Sequence, residues 1–468
     1  MCYNVHVMLT HSDSIVFAGI SGCFAGASTP RALWKALLKR QRFFRPQSEY
    51  ATSDTDTADE LFADRTLPDV CAALGERFAC RADAIPLPPD LGIGDNPDFW
   101  FAAQLLHDAL CDAGLPPDHP QTDRIALYVG YEPLFNPASV NWFQHAVVIS
   151  QVMSTLQRFF PGASYERLSE LRDSLTDTLP LLKPRHIAQS RGDDLVMSLA
   201  QTFGTCDTAA LCSAGDASVF AGLEAAANAL RRHQCDAAAV VVLQPPMPKA
   251  QLLGEAARIA FSTASELRPF TADSEGTLPG EGGAAFILRR GDDVQRKPYA
   301  RLHGCSVIAG LRPEGDGLQE GLRRALHRAL RRLPNGFRDI DYWEMNGSGI
   351  PEEDAAEEWL LNKMTANRGA HIPLLALGSA KTSFGHTFAA AGGLGLLKGI
   401  LSVSHQVLPP SATPEDGSFR LTEPDRSYYW VQEARPWIAS GMRPRRLAVS
   451  TLSACGRAGA AVLEEVQA

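Results

Sequence analysis

Several absences narrow the chain before any motif is read. Ten cysteines occur among 468 residues, at positions 2, 23, 71, 80, 111, 206, 212, 235, 305 and 455, yet none forms a CxxC pair and no His lies at metal-ligand spacing from a Cys pair. That argues against a zinc site and against a dithiol redox motif. Several of these cysteines sit in apolar runs, where a free thiol behaves as a small hydrophobe, so reduced core thiols in a cytoplasmic protein are expected. A basic excess is also missing. The 44 Lys and Arg against 53 Asp and Glu leave a net charge of −9, whereas a nucleic-acid partner needs a basic face. The N-terminus MCYNVHVMLTHSDS has neither a basic n-region nor a continuous apolar h-region, so no signal peptide is expected. No apolar run approaches the ~20 residues of a membrane span. The Gly-rich turn Gly280–Gly283 is not followed by Gly-Lys-Ser/Thr, which argues against a Walker site.

What is present is enough for a large core: 45% hydrophobic against 21% charged residues, in a length that suits two fused units of roughly 200 residues each. Residues 15–22 (IVFAGISG) read as a buried parallel strand. Thr29 and Pro30 open a helix with Leu33, Trp34, Leu37 and Leu38 at helical spacing, and residues 99–113 form a second helix that Gly114, Pro116 and Pro117 stop. His107 on it reads as a helix-face residue, since no partner is near in sequence. Residues 44–95, rich in Pro, Asp and Thr, read as an irregular surface segment. Buried strands follow at 125–130 and 237–244. Between them, residues 131–200 read as an insertion with a long helical stretch around 145–180. Its aromatics Trp142, Phe143, Phe159 and Phe160 suit a cap or a subunit contact, with core packing the simpler explanation of each one. The second half repeats the style, with strands at 300–309, 342–346, 374–380, 445–452 and 460–466 and helices at 316–332, 354–366 and 389–403. This alternation predicts an α/β protein built as a pseudo-duplication, with helices covering stacked sheets.

The stretch from 203 to 236, FGTCDTAALCSAGDASVFAGLEAAANALRRHQCD, organises the rest. It reads as a buried strand over 209–214, a sharp turn at Gly215 and Asp216, and an amphipathic helix. A strand entering a helix through a tight turn presents one side chain and one backbone N–H to a substrate, and here that side chain is Asp216. Three further loops each follow a buried strand, the usual place for an α/β site. They are EMNGSGIPEEDAAE (344–357), GSAKTSFGHTFAAAGG (378–393) and TLSACGRAG (451–459). Their glycines let backbone approach a ligand.

Taken in order, these motifs resemble the β-ketoacyl synthases of the thiolase fold, close to those of polyketide and polyunsaturated fatty-acid assembly. The opening IVFAGISGCFAGASTPRALWKALL, the segment TFGTCDTAALCSAGDAS, the segment PFTADSEGTLPGEGG and the loops NGSGIPEEDAAE and GSAKTSFGHTFAAAGG carry the resemblance, which runs from about residue 14 to 466. It implies two pseudo-duplicated halves, 14–290 and 291–466, in a layered α-β-α-β-α arrangement. It also implies a chemistry: a Cys thiolate, activated at a helix N-terminus, takes the acyl chain as a thioester, and two His side chains stabilise the enolate oxygen during malonyl decarboxylation.

Carried over residue by residue, the resemblance is incomplete. The nucleophile position holds Asp216 and the first His position holds Asn346, while the Lys and the second His are present as Lys381 and His386. Glu281 matches the family's Glu in the GEG turn, with Ser218 and Glu357 as further supporting residues. The Gly-rich C-terminal loop that supplies an oxyanion-hole N–H is altered around Ala454, Cys455 and Gly456. An Asp cannot replace the thiolate in normal condensation, because its acyl product is a labile mixed anhydride. Cys212, four residues upstream, reads as a core residue rather than a substitute nucleophile. Asp216 suits either a helix-capping role, stabilised by the helix dipole, or a direct chemical one. No bound cofactor is expected. The substrate class implied is an acyl or malonyl phosphopantetheine thioester on an acyl carrier protein. The expected function is a non-condensing subunit like the chain-length factors, paired with an active ketosynthase or with itself as a dimer. The alternative is an enzyme of altered chemistry (malonyl-carrier decarboxylase, thioester hydrolase or acyltransferase) with Asp216 as general base and Asn346 and His386 on the thioester oxygen.

Overall fold

A computed structural model of the chain describes residues 14–46, 67–74, 85, 87, 96–116, 124–132, 137–179, 181–182, 184–204, 208–247, 249–312, 315–366, 368–369, 372–414, 418–422, 426–439, 443–453 and 455–467. Its main feature is a mixed sheet of eleven strands. In chain order they are β1 (Ile15–Phe24), β2 (Ile125–Gly130), β3 (Ala209–Leu211), β4 (Ala237–Gln244), β5 (Gly282–Arg290), β6 (Ala300–Ala309), β7 (Tyr342–Glu344), β8 (Leu375–Gly378), β9 (Tyr428–Trp430), β10 (Arg446–Ser453) and β11 (Arg457–Glu464). The spatial order is β9-β8-β7-β10-β11-β6-β1-β5-β4-β2-β3.

That order contains the same five-strand pattern twice. β1 pairs antiparallel with β5, β5 antiparallel with β4, β4 parallel with β2 and β2 parallel with β3. In the second copy β6 pairs antiparallel with β11, β11 antiparallel with β10, β10 parallel with β7 and β7 parallel with β8. Within the sheet the copies are joined where Ile15, Val16 and Phe17 of β1 pair antiparallel with β6. Residues 15–22 therefore lie in an antiparallel strand rather than a parallel one. β1 is buried on both faces, and its continuous apolar run follows from that burial whichever way its neighbours point.

Layering follows from side-chain alternation. On β4, Val240 and Val242 face one core cluster and Ala239, Val241 and Leu243 face another. The first cluster holds the helices α6 (Ser218–Arg231) and α9 (Ala391–His405), which lie between the two sheet halves. The second packs α2 (Pro97–Asp112) and α5 (Gly192–Phe203) outside the first half. A third packs α7 (Gly317–Ala329) and α8 (Pro351–Thr365) outside the second half. The result is the expected α-β-α-β-α stack. α1 (Pro30–Leu38) starts as predicted, with Thr29 Oγ1 accepting from the Ala32 N–H at 3.1 Å. The 18-residue helical stretch Phe388–His405 is apolar enough to cross a membrane by composition, contrary to the expectation from the sequence, but 89% of it is buried inside this stack.

Two other expectations change. β3 ends at Leu211 and forms a sheet edge, half-buried with Leu211 37% exposed, so it is not the deeply buried strand its apolar run implied. The insertion does hold helices, α3 (Ile149–Phe159) and α4 (Tyr165–Asp177), entered through a π-helical turn over Gln144–Val148. Its aromatics are not core: Trp142 is 39% exposed, Phe143 52%, Phe159 77% and Phe160 61%. The two helices pack on each other. Most of residues 44–95 lies outside the described residues.

Candidate active site

The N-termini of the two central helices bring the sequence-predicted residues together. Gly215 takes a left-handed backbone, φ +53°, which a side chain would disfavour, and this sharpens the turn over Gly215–Ala217 that leads into α6. The turn is braced from both sides. Ser218 Oγ donates to the Gly215 carbonyl at 2.7 Å and accepts from the Ala214 N–H at 2.9 Å. Glu132, just past β2, accepts from Ser213 Oγ and from the Gly215 N–H, both at 2.9 Å, and from Arg457 Nη1 at 3.1 Å. Close approach of α9 completes the seat: a Cβ on Gly392 would stand 2.8 Å from the Asp216 carbonyl oxygen.

The Asp216 side chain is buried between two donors. His386 Nε2 lies 2.8 Å from its Oδ2 and Lys381 Nζ lies 3.7 Å from the same oxygen. Burial alone pushes the carboxyl up, but the His386 and Lys381 contacts outweigh it and hold Asp216 below the usual carboxylate range. His386 has a defined tautomer. The Phe388 N–H donates to its Nδ1 at 3.2 Å, so the ring proton sits on Nε2 and faces Asp216. Phe388 itself carries φ +41°, a strained conformation for a bulky residue and of the kind that collects at functional sites.

Lys381, at the start of the short helix Lys381–Phe384 after β8, also donates to Asn346 Oδ1. Asn346 donates from Nδ2 to Glu353 Oε2 at 2.9 Å. The backbone of this loop is pinned by α8. Glu357 accepts the N–H groups of Asn346 and Gly347, each at 2.8 Å, and Asp354 accepts those of Phe270 at 2.8 Å and Gly349 at 3.3 Å. Burial raises the Glu357 carboxyl to about 8 and the Asp354 carboxyl to about 7, against the pull of those N–H groups. Glu353 is raised too, first by burial and then by the Asp216 charge. Behind Asn346 and Lys381 a cavity of about 10 Å³ is lined by Ser379, Leu394, Val449 and Thr451 among others, room for about one water.

The remaining predicted residues do other things. Glu281 is committed to the Leu74 N–H at 2.9 Å and the Met247 N–H at 3.0 Å, so it ties two loops together. Ala454 lies outside the described residues. The Cys455 N–H donates to Ser453 Oγ at 3.2 Å and the Gly456 N–H to the Ser453 carbonyl at 2.9 Å, so both are spent within their own loop. Burial pushes the Cys212 thiol up to about 11, and its N–H bonds the Val129 carbonyl at 2.7 Å; it is a packed thiol without activation. Sequence reasoning missed Glu132, Arg457 and Glu353. Glu353 sits in the acidic run that opens α8, where carboxylates usually face solvent, so its pattern held no signal of burial. Glu132 and Arg457 meet across 325 residues of sequence.

Chemically, the site sets an Asp216 carboxylate held ionised against His386 and Lys381; such a carboxylate is a weak base and leaves no thiolate in the site.

Comparison with known proteins fits this geometry. Residues 198–293 match the family description "Beta-ketoacyl synthase, N-terminal domain" and residues 299–414 match "Beta-ketoacyl synthase, C-terminal domain". The chain is 33% identical over 258 residues to the PKS-NRPS hybrid synthetase acdB of Aspergillus candidus, covering 51% of this chain and 10% of that protein. It is 31% identical over 285 residues to the polyketide synthase GfsB of Streptomyces halstedii, covering 57% and 5%. It thus spans a small part of the curated relatives it matches. Among solved structures, the ketosynthase from module 6 of the bacillaene synthase of Bacillus subtilis 168 superposes with a TM-score of 0.69 at 20% identity, over 97% of this chain and 73% of that one. A chain of the AntDE:AntF complex, a type II polyketide acyl-carrier protein with its ketosynthase bound to the hexaketide, gives 0.69 at 15% identity over 97% and 99%. The first family description covers the Asp216 turn and the second covers Asn346, Lys381 and His386, so all four site residues lie within the two segments that match the β-ketoacyl synthase descriptions.

Proposed function

We propose that the chain is a non-condensing, chain-length-factor-like subunit of polyketide or fatty-acid biosynthesis, which pairs with an active ketosynthase and contacts an acyl carrier protein. One observation carries this reading: the Asp216 carboxylate takes the His386 Nε2 contact at 2.8 Å, with Lys381 Nζ at 3.7 Å. In a condensing site such donors polarise the thioester oxygen of the incoming substrate. Here they neutralise a side chain of the protein, and that side chain stands where a thiolate would attack.

The partner surface supports the same reading. β3 is an open sheet edge, which invites pairing with another chain. Leu211 on it, and Met197, Ile187, Trp142 and Phe143 on helices that pack in succession from it, are exposed, and exposed apolar side chains suit a partner surface. The partner it fits is a ketosynthase with the same edge strand.

The test is mass spectrometry of malonyl- and acyl-loaded carrier protein incubated with this chain alone. The loaded carriers are expected to remain unchanged, and the chain is expected to co-purify with a type II ketosynthase on co-expression. Loss of CO2 or of the acyl group from the carriers sinks the reading.

A further inference from the structure

Glu353 occupies a position in the site that the proposed function does not use. It belongs to the first turn of α8, yet it is 1% exposed, and its Oε2 accepts from Asn346 Nδ2 at 2.9 Å. The other acids of that turn are engaged elsewhere or exposed. Glu352 faces solvent, and Asp354 is taken by the backbone of Phe270 and Gly349. A side-chain amide has one acceptor oxygen and one NH2 group. A carboxyl that takes the NH2 group therefore obliges Oδ1 to face the other way, and there Oδ1 receives the Lys381 ammonium. Lys381 in turn faces Asp216 at 3.7 Å. Glu353, Asn346, Lys381 and Asp216 form a single file in which acceptors and donors alternate, closed at its far end by His386.

We propose that Glu353 is a positioning residue that keeps this donor set closed. It fixes the Asn346 amide so that Lys381 is held toward Asp216, and so that Asn346 Nδ2 is spent inside the protein. The assignment rests on reading the site as internally consumed. Asp216 is one half of that closure, occupying His386 and Lys381; Glu353 is the other half, occupying Asn346. Burial and the Asp216 charge raise the Glu353 carboxyl, and a carboxyl accepts from an amide in either protonation state.

The experiment compares Asp216→Ala, Asp216→Ala/Glu353→Ala and Asp216→Ala/Glu353→Gln with the wild-type chain, following CO2 loss from malonyl-loaded carrier protein. The wild type is expected to be silent. The Asp216→Ala/Glu353→Ala chain is expected to exceed Asp216→Ala by about tenfold or more, the order of effect of one donor on a developing oxyanion. The Gln variant should stay near Asp216→Ala, because its Oε1 still accepts from Asn346. A Glu353→Ala double variant no faster than Asp216→Ala, silence included, overturns the assignment, as does a Gln variant as fast as the Ala one. Decarboxylation by the wild type overturns the non-condensing reading instead, and leaves the Ala-to-Gln comparison to decide the role of Glu353. If the Ala variant fails to fold, Glu353→Met keeps the volume without an acceptor and takes its place. A second readout needs no activity. In ¹³C NMR of an otherwise wild-type chain, Glu353→Met should raise the pKa of the Asp216 carboxyl and Glu353→Gln should leave it in place. An Asp216 titration unmoved in folded Glu353→Met also overturns the assignment.

Discussion

His386 reaches Asp216 as a donor: its Nε2 stands 2.8 Å from Oδ2, while its Nδ1 is occupied by the Phe388 N–H at 3.2 Å. The imidazole forms one half of a buried contact, and Lys381 Nζ, 3.7 Å from the same oxygen, forms the other. Asp216 fills the site from the Gly215–Ala217 turn, which sets its carboxylate against both side chains.

Asp216→Ala tests the pair energetically. It leaves the Lys381 side chain buried without its Asp216 partner, and breaking a buried ion pair from one side costs about 3–5 kcal/mol. Urea denaturation should show a loss in that range. Asp216→Asn, which keeps an acceptor oxygen, should lose less. A loss below about 1 kcal/mol, the scale of an ordinary hydrogen bond, would mean that the pair does not hold the site together.

Stability against pH should run in an unusual direction. Glu357 is raised from 4.5 to about 8 and Asp354 from 3.8 to about 7. Across those windows the folded chain binds more protons than the unfolded chain, so their stabilising contribution is complete below the unfolded values and is lost as pH rises through the folded ones. Each contributes a slope of up to about 1.4 kcal/mol per pH unit within its window. Asp216 works the other way: its folded value is depressed, so its contribution exists above the ordinary carboxylate range and fades only as acid protonates it. The melting temperature should therefore rise as pH falls from about 8.5 to about 5.5, and Glu357→Gln should flatten that rise. A melting temperature that climbs toward alkaline pH would contradict it.

Glu132 predicts a local effect. Its carboxyl gathers Ser213 Oγ, the Gly215 N–H and Arg457 Nη1, so Glu132→Ala leaves the turn unbraced on one side. A cost of about 1–3 kcal/mol is expected from the abandoned partners. Hydrogen exchange at the Gly215 amide should accelerate before that of strand β4, where every residue is buried. Equal acceleration of both would place the effect in global unfolding.

The sequence made the scaffold legible wherever a continuous signal existed. The AAAVVVLQ run of β4 and the capped, periodic helices α1 and α2 state their own burial, and the positions of Asp216, Asn346, Lys381 and His386 inside family motifs assign all four to one site. The direction of β1 was not legible, because a strand buried on both faces carries the same apolar run in either orientation. The exposure of Phe159 and Phe160 was not legible either, since an aromatic reports only that it would pack if something covered it. Glu353 was hidden by chemistry that looked ordinary: an acid in the first turn of a helix is the commonest of surface patterns. Its burial depends on how the preceding turn folds back, so that the amide of Asn346 meets the first turn of the helix.

The pair Lys398 and Glu344 gives the sharpest test of how the layers are joined. Lys398 is fully buried in the central helix α9, and its Nζ lies 2.8 Å from Glu344 Oε2 at the end of β7. The same Glu344 accepts from the Ala380 N–H at 2.6 Å through its other oxygen and from the Tyr342 hydroxyl, while Lys398 also donates to Ser411 Oγ at 2.8 Å. Burial depresses the Lys398 ammonium more than Glu344 restores it, so the pair exists under a desolvation penalty and depends on both members. Lys398→Met alone should cost about 3–5 kcal/mol by leaving Glu344 uncompensated, as should Glu344→Gln alone. The double variant should lose less than the sum of the two, with a coupling of roughly 1–3 kcal/mol in a double-mutant cycle. Because Glu344 also fixes the Ala380 backbone beside Lys381, Glu344→Gln should disturb the Asp216 titration, whereas Lys398→Met should leave it nearer the wild type. Additive losses would show that Lys398 and Glu344 stand beside each other without acting as a pair.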